Sequence, residues 1–121
     1  MKNWINWFEL PATDINRAMT FYGKLFSIEF HTESMMGTRM AIFPGDGGNH
    51  GALVQGDDYK PSTNGAVLYL NGGDDLSEPL GKVEQAGGKV IVPKTHIGDE
   101  MGYFAMFIDT EGNKVALHSM G

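Results

Sequence analysis

Glu9 is the residue of this sequence whose position suggests chemistry most directly. It stands between Phe8 and Leu10 in an aromatic, apolar stretch that has the composition of a β-strand. Because strand side chains alternate between faces, Glu9 points away from the face that Phe8 and Leu10 bury. A carboxylate at such a position acts as a base or binds a polar ligand in many pockets. A hydrated or salt-bridged acid explains the position equally well, so both interpretations stay open.

Three further side chains have a functional and a structural interpretation. Histidine as a residue type changes charge near neutral pH, so His118 suits a proton shuttle, or it is a hydrogen-bonded structural histidine. Tyr69 either donates its hydroxyl to a ligand or fills space with its ring. Trp7 is a stacking wall for a flat ligand or an apolar plug. These residues and Glu9 are the candidate site.

The segment Lys94–Tyr103 is long for a connection in a small domain. It carries polar residues and Met101 between Gly98 and Gly102. Flanking glycines around a polar loop indicate a mobile lid, with Met101 placed to contact a ligand. A solvated hairpin loop is the alternative.

Composition excludes several classes of protein. The 121 residues form one domain of ordinary hydrophobic content, and the net charge of −6 with scattered lysines argues against nucleic acid as a partner. There is no cysteine, no signal peptide pattern, and no apolar run of the ~20 residues that cross a bilayer. We therefore expect a soluble cytoplasmic protein with no membrane partner.

Two helices are predicted from their caps and apolar spacing. Asp14 caps the first, whose buried stripe runs from Ile15 to Phe26. Asp75 caps the second, whose stripe extends from Leu76 to Ala86 before a Gly-Gly stop. Strands are predicted around them at Trp4–Leu10, Ile28–Thr32, Arg39–Phe43, Gly51–Val54, Ala66–Leu70, Lys89–Val92, Tyr103–Ile108 and Val115–Ser119.

The two halves of the chain repeat one another. Phe43, Asn49 and Leu53 have counterparts 64 residues later, in hairpins that each follow a strand and a helix. Such repetition indicates two stacked copies of one supersecondary unit. The prediction is an α+β domain over 1–121, built from βαβββ units at about 1–54 and 65–121 with a linker at 55–64.

Two motifs carry a family resemblance. The first is Asp14-Ile15-Asn16-Arg17-Ala18-Met19-Thr20-Phe21-Tyr22 before Leu25-Phe26, and the second is Asp109-Thr110-Glu111-Gly112-Asn113. The chain resembles the vicinal oxygen chelate superfamily, which contains glyoxalase I, bleomycin-resistance proteins and extradiol dioxygenases. Its ending Leu117-His118-Ser119 is similar to a glyoxalase-like branch. The resemblance implies a curved, cup-shaped mixed sheet with helices outside, and a homodimer.

The resemblance also locates the positions at which relatives bind metal. By strand alternation they correspond here to Trp7, Ala52, Val67 and Ala116, none of which offers a side-chain ligand to a divalent cation. The predicted cup is therefore free of metal and of other cofactors. A displaced metal site using Glu9 and His118 is the remaining alternative.

Three functions compete on this basis. The first is a small-molecule-binding protein resembling bleomycin-resistance proteins, whose acidic, aromatic cup holds a cationic or flat ligand on Trp7, Glu9, Tyr69, Met101 and His118. The second is a lyase or isomerase that uses Glu9 and His118 for acid–base catalysis. The third is a structural or regulatory domain with a filled cup.

Overall fold

The fold was analysed in a computed structural model that describes residues 4–48 and 50–121. Asn49, one of the repeat positions, lies outside these residues. The described elements, in chain order, are β1 Phe8–Pro11, α1 Ile15–Phe26, β2 His31–Met35, β3 Thr38–Ile42, β4 Gly51–Gln55, β5 Tyr69–Asn71, α2 Ser77–Leu80, β6 Lys89–Gly98, β7 Gly102–Ile108 and β8 Lys114–Ser119.

The strands form two four-stranded mixed sheets of identical connectivity. Their orders are β1-β4-β3-β2 and β5-β8-β7-β6. In each sheet the first strand runs parallel to the last, with Glu9 opposite Ala52 and Tyr69 opposite Ala116. The predicted α+β class and the repeated βαβββ unit are confirmed, and the described strands do not close into a barrel.

Helix α1 forms where its cap and apolar stripe predict it. The Asp14 carboxylate accepts a hydrogen bond from the backbone N–H of Arg17 at 3.1 Å. The helix ends at Ser27, whose left-handed φ of 54° lets its N–H donate to the Gly23 carbonyl. No helix in the described part of the chain is long and apolar enough to span a bilayer.

Helix α2 is shorter than predicted. It covers only Ser77–Leu80, and the chain continues to Gly87 in turns. Pro79 donates no backbone hydrogen bond, and the glycines that follow favour turns over helix. Leu76 and Val83 are nonetheless fully buried, so the predicted apolar positions pack correctly without a continuous helix.

The segment predicted as a lid is largely a paired hairpin. Strand β6 extends to Gly98 and β7 begins at Gly102, and Thr95 and His96 pair with Phe104 and Tyr103. Only three residues form the connecting turn. The mobile-lid interpretation of Lys94–Tyr103 is therefore wrong, and the hairpin alternative describes the segment.

Both units contribute to one hydrophobic core. Rings of α1 contact the second sheet, with Phe21 and Tyr22 at 5.8 and 6.3 Å from the Phe107 ring. The buried residues of this core are Leu10, Ala12, Ile15, Ala18, Phe21, Tyr22, Leu25, Ala41, Leu53, Leu76, Val83, Ala105, Phe107, Val115 and Leu117. Burial of the helix-facing sides leaves the opposite sheet faces to carry the candidate residues.

Candidate functional site

Strand alternation places the candidate residues on the sheet faces turned away from the core. Leu10 is buried and Phe8 packs against the core, whereas Glu9 between them is exposed. In the second unit Leu68 and Leu70 contact the core. Val67 and Tyr69 are 36% and 49% exposed. The predicted orientation of Glu9 and Tyr69 is confirmed. The strands themselves begin later than predicted, at Phe8 and Tyr69, so Trp7 and Val67 precede them.

Glu9 belongs to a small polar cluster at the end of β1. The Trp7 indole Nε1–H donates to Glu9 Oε2 at 3.2 Å. Hydrogen bonding to Glu9 and the charge of its carboxylate raise the pKa of Tyr59 above its ordinary value, which places the Tyr59 hydroxyl beside Glu9. Tyr59 was not predicted, because it lies in the linker and no periodicity orients it.

His118 has a defined tautomer. Its Nε2 lies 2.6 Å from the backbone carbonyl oxygen of Met101. Because a carbonyl only accepts hydrogen bonds, Nε2 carries the proton, and Nδ1 of the neutral ring is left as an acceptor. The structure thus joins His118 and Met101, two of the predicted site residues, through the hairpin turn.

A cavity of about 550 Å³ lies at the end of β5 and β8. Its lining residues include Tyr69, Asn71, Asp74 and His118. The Phe104 ring lies beside Tyr69, with centroids 6.5 Å apart. Cavities of roughly 300–1,000 Å³ with apolar walls and a few polar groups are typical of small-molecule sites.

Glu9 lines a different cavity of about 290 Å³ along the edge of β1. No lining residue is shared with the cavity of Tyr69 and His118. Trp7 contacts Glu9 and lines neither cavity. The five predicted residues therefore form two groups: Trp7 with Glu9, and Tyr69 with Met101 and His118.

The positions that correspond to metal ligands carry side chains without ligating atoms. Ala52 and Ala116 are fully buried, and Val67 and Trp7 are partly exposed. Within 4–48 and 50–121, no group of three or more His, Cys, Asp or Glu residues is placed to hold a metal ion. These residues do not fit a divalent cation, and the metal-free state stays a prediction.

A family model and one related protein each match most of this chain. The family model described as Glyoxalase/Bleomycin resistance protein/Dioxygenase superfamily matches residues 4–117. A glyoxylase-like domain-containing protein of Didymella fabae is 33% identical over 118 residues, covering 93% of this chain and 91% of that protein.

Solved structures show the same fold at lower identity. Glyoxalase I from Zea mays superposes with a TM-score of 0.72 at 19% identity, and the match covers 95% of this chain but 45% of the maize protein. An antibiotic-binding protein from Streptomyces sp. CB03234 superposes with a TM-score of 0.63 at 20% identity over 97% and 95% of the two chains. Together, the family-model match and the Didymella relative show that this chain belongs to the Glyoxalase/Bleomycin resistance protein/Dioxygenase superfamily.

Proposed function

We propose that this protein binds a small organic molecule in the cavity formed by Tyr69, Asn71, Asp74 and His118. The observation that carries the proposal is the cavity of about 550 Å³, which has an aromatic wall and several convergent polar groups. The antibiotic-binding relative supports this general activity in the family.

The polar groups of the cavity favour a ligand that donates hydrogen bonds. Asp74 is exposed and offers a carboxylate. His118 offers Nδ1 as an acceptor while Nε2 is engaged by Met101. The half-exposed Tyr69 ring offers a face to a flat or cationic group. A flat cation fits this combination, in agreement with the acidic net charge of −6.

The catalytic alternative requires Glu9 and His118 at one site. Within one chain these residues line separate cavities, which favours binding over acid–base catalysis.

The resemblance to dimeric relatives and the exposed Trp4, Ile5 and Met101 support a homodimer, because a second copy would cover apolar surface. The same proposal includes a metal-free site, and the absence of cysteine fits the cytoplasm.

The test uses the fluorescent flat cation proflavine as the probe, with naphthalene-1,5-disulfonate as a flat anion of comparable shape. Proflavine binding is measured by fluorescence anisotropy for the wild type and for Tyr69→Leu and Asp74→Asn. We expect each substitution to weaken binding about five-fold, the size of a partly exposed cation–π or charge contact. Asp58→Asn is the matched control, since Asp58 is exposed and lies outside the cavity wall.

Two results would contradict the proposal. One is binding of the disulfonate as tight as that of proflavine, and the other is an Asp58→Asn effect equal to that of Asp74→Asn. Elemental analysis of protein purified without chelator tests the metal-free state separately. A stoichiometric transition metal retained through dialysis would overturn it.

A further inference from the structure

We propose that the 290 Å³ cavity beside β1 is a second binding site, which takes a small organic carboxylate with an apolar body. The cavity lies between β1 and the segment that leads into β5, and it shares no lining residue with the cavity of Tyr69 and His118. This inference is independent of the function proposed above.

Two lysines, Lys60 and Lys114, line the cavity. Among the residues that the structure describes, neither lysine forms an ion pair, although acidic residues outnumber basic ones 15 to 9 in the chain. Two lysines that line one cavity without an acidic partner raise the local positive charge, which a bound anion would offset. An anionic ligand therefore removes a local excess of positive charge.

A backbone donor points toward the same space. The N–H groups of Phe8 and Ala12 donate to carbonyls of the β4 side, His50 and Val54. Alternate residues of a strand direct their N–H groups to the same edge, so the N–H of Glu9 points to the opposite, unpaired edge of β1. A carboxylate oxygen is a suitable acceptor for this N–H and for the neighbouring ammonium groups.

The remaining polar wall is fixed by internal hydrogen bonds. The Asn113 side chain donates to the Pro11 carbonyl at 2.7 Å and accepts from the Ser62 N–H at 3.2 Å. The Ser62 hydroxyl accepts from the N–H of Asn64 at 2.9 Å. Because these groups are already paired, the linker is held against β8 and the cavity keeps its shape without a ligand.

The charge and the lining favour a monoanion with an apolar body. Glu9 also lines the cavity, so two lysines and one carboxylate leave a single net positive charge, which disfavours a dianion such as phosphate. Four apolar residues also line the cavity: Phe8, Leu10, Ala66 and Leu68. A ring or short alkyl chain packs on these residues while its carboxylate meets the lysines.

Benzoate is the probe, with benzamide as its uncharged analogue of the same shape and inorganic phosphate as the alternative anion. Binding is measured by chemical-shift perturbation in two-dimensional NMR. We expect Lys60→Gln/Lys114→Gln to weaken benzoate binding about ten-fold, as for loss of charge-assisted hydrogen bonds. Lys24→Gln/Lys82→Gln, which removes an equal charge from a separate hollow lined by those two lysines, should leave it unchanged.

A substitution at Glu9 provides a second test of the proposed carboxylate site. Glu9→Gln removes the repulsion between the Glu9 carboxylate and the carboxylate of benzoate. Benzoate should therefore bind more tightly, whereas the affinity for benzamide should not change. The proposal is overturned if both double-lysine variants lose benzoate affinity equally, or if Lys60→Gln/Lys114→Gln binds benzoate as tightly as the wild type. It is also overturned if benzamide binds as tightly as benzoate. Phosphate binding without benzoate binding would overturn it as well. Chemical shifts of core amides that match those of the wild type show that each variant is folded.

Discussion

At the scale of single residues, the buried Asp109 carboxylate accepts four hydrogen bonds. One oxygen accepts from the buried Tyr22 hydroxyl at 2.7 Å and from the Asn113 amide at 3.1 Å. The other accepts the backbone N–H groups of Glu111 and Asn113, both at 2.9 Å. Burial and the Asp109 charge raise the pKa of Tyr22 well above its ordinary value, so its hydroxyl stays a donor.

Removing the Tyr22 hydroxyl should therefore destabilise the protein without changing its shape. We expect Tyr22→Phe to lower the free energy of unfolding by about 1–2 kcal/mol, because Asp109 loses one donor in a buried site. Urea denaturation at pH 7 measures the change. Tyr103→Phe is the control, since the Tyr103 hydroxyl has no hydrogen-bond partner among the described residues. Equal stability of the two variants would contradict this account.

The sequence predicted the orientation of a side chain correctly where its neighbours in the chain are buried. Phe8 and Leu10 fix the outward direction of Glu9, and Leu68 and Leu70 do the same for Tyr69. The contact between His118 and Met101 could not be predicted from the sequence, because the acceptor is a backbone carbonyl and every residue has a backbone carbonyl. Partners of this kind depend on the fold and not on residue type.

At the scale of elements, the register of β1 on β4 determines where Glu9 lies. Phe8 stands opposite Gly51, and its ring covers the Gly51 Cα. A β-carbon added to Gly51 would lie inside the contact distance of three ring atoms of Phe8. The glycine is therefore required by the close approach of the ring and not by a special backbone angle.

Gly51→Ala tests this register. We expect it to lower the free energy of unfolding by about 1–3 kcal/mol, the usual cost of overpacking a tight contact. Gly98→Ala is the matched control, because a β-carbon at Gly98 meets no atom within 4 Å. Thermal unfolding followed by circular dichroism compares the two. If Gly51→Ala melts with the control, Phe8 does not cover Gly51 and the register is wrong.

The helices could be predicted from sequence where the capping residue, the apolar spacing and the positions of proline and glycine agreed. Helix α1 has a capping aspartate and an uninterrupted apolar stripe, and its observed bounds match the prediction. In α2 the same apolar spacing coexists with Pro79 and nearby glycines, so the spacing predicted burial but not the helix. The extension of β6 from Val92 to Gly98 was not predicted, because this part of the strand contains Pro93 and polar residues and carries register shifts.

At the scale of the whole molecule, an ion pair joins the two repeated units. Arg17 on α1 donates to Glu111 of the second unit through Nε at 2.7 Å and Nη2 at 3.1 Å. Glu111 also accepts the Asp14 backbone N–H at 2.7 Å. Its side chain is 1% exposed and that of Arg17 is 50% exposed. The contact stands beside the shared core and ties the start of α1 to the β7–β8 turn.

The pKa of Glu111 gives this contact a pH dependence. Burial alone would raise it, but the Arg17 guanidinium and the Asp14 N–H outweigh burial and hold it below the ordinary value of 4.5. A lowered pKa in the folded state means that the contact stabilises the fold fully above pH 4.5. This stabilisation is lost as the pH falls through the pKa of the folded state.

Glu111→Gln should consequently destabilise the protein by about 1–3 kcal/mol at pH 7, since it leaves the donors around the buried Glu111 side chain with a poorer acceptor. The difference from the wild type should shrink at pH 3, where Glu111 is protonated to a greater extent. Urea denaturation at both pH values measures the two differences, and Glu78→Gln on exposed α2 is the control. If the difference in unfolding free energy between Glu111→Gln and the wild type is the same at both pH values, the packing of Glu111 and not its charge stabilises the contact between the two units. Because the units share one core, the loss should lower the midpoint of a single unfolding transition and not uncouple the halves.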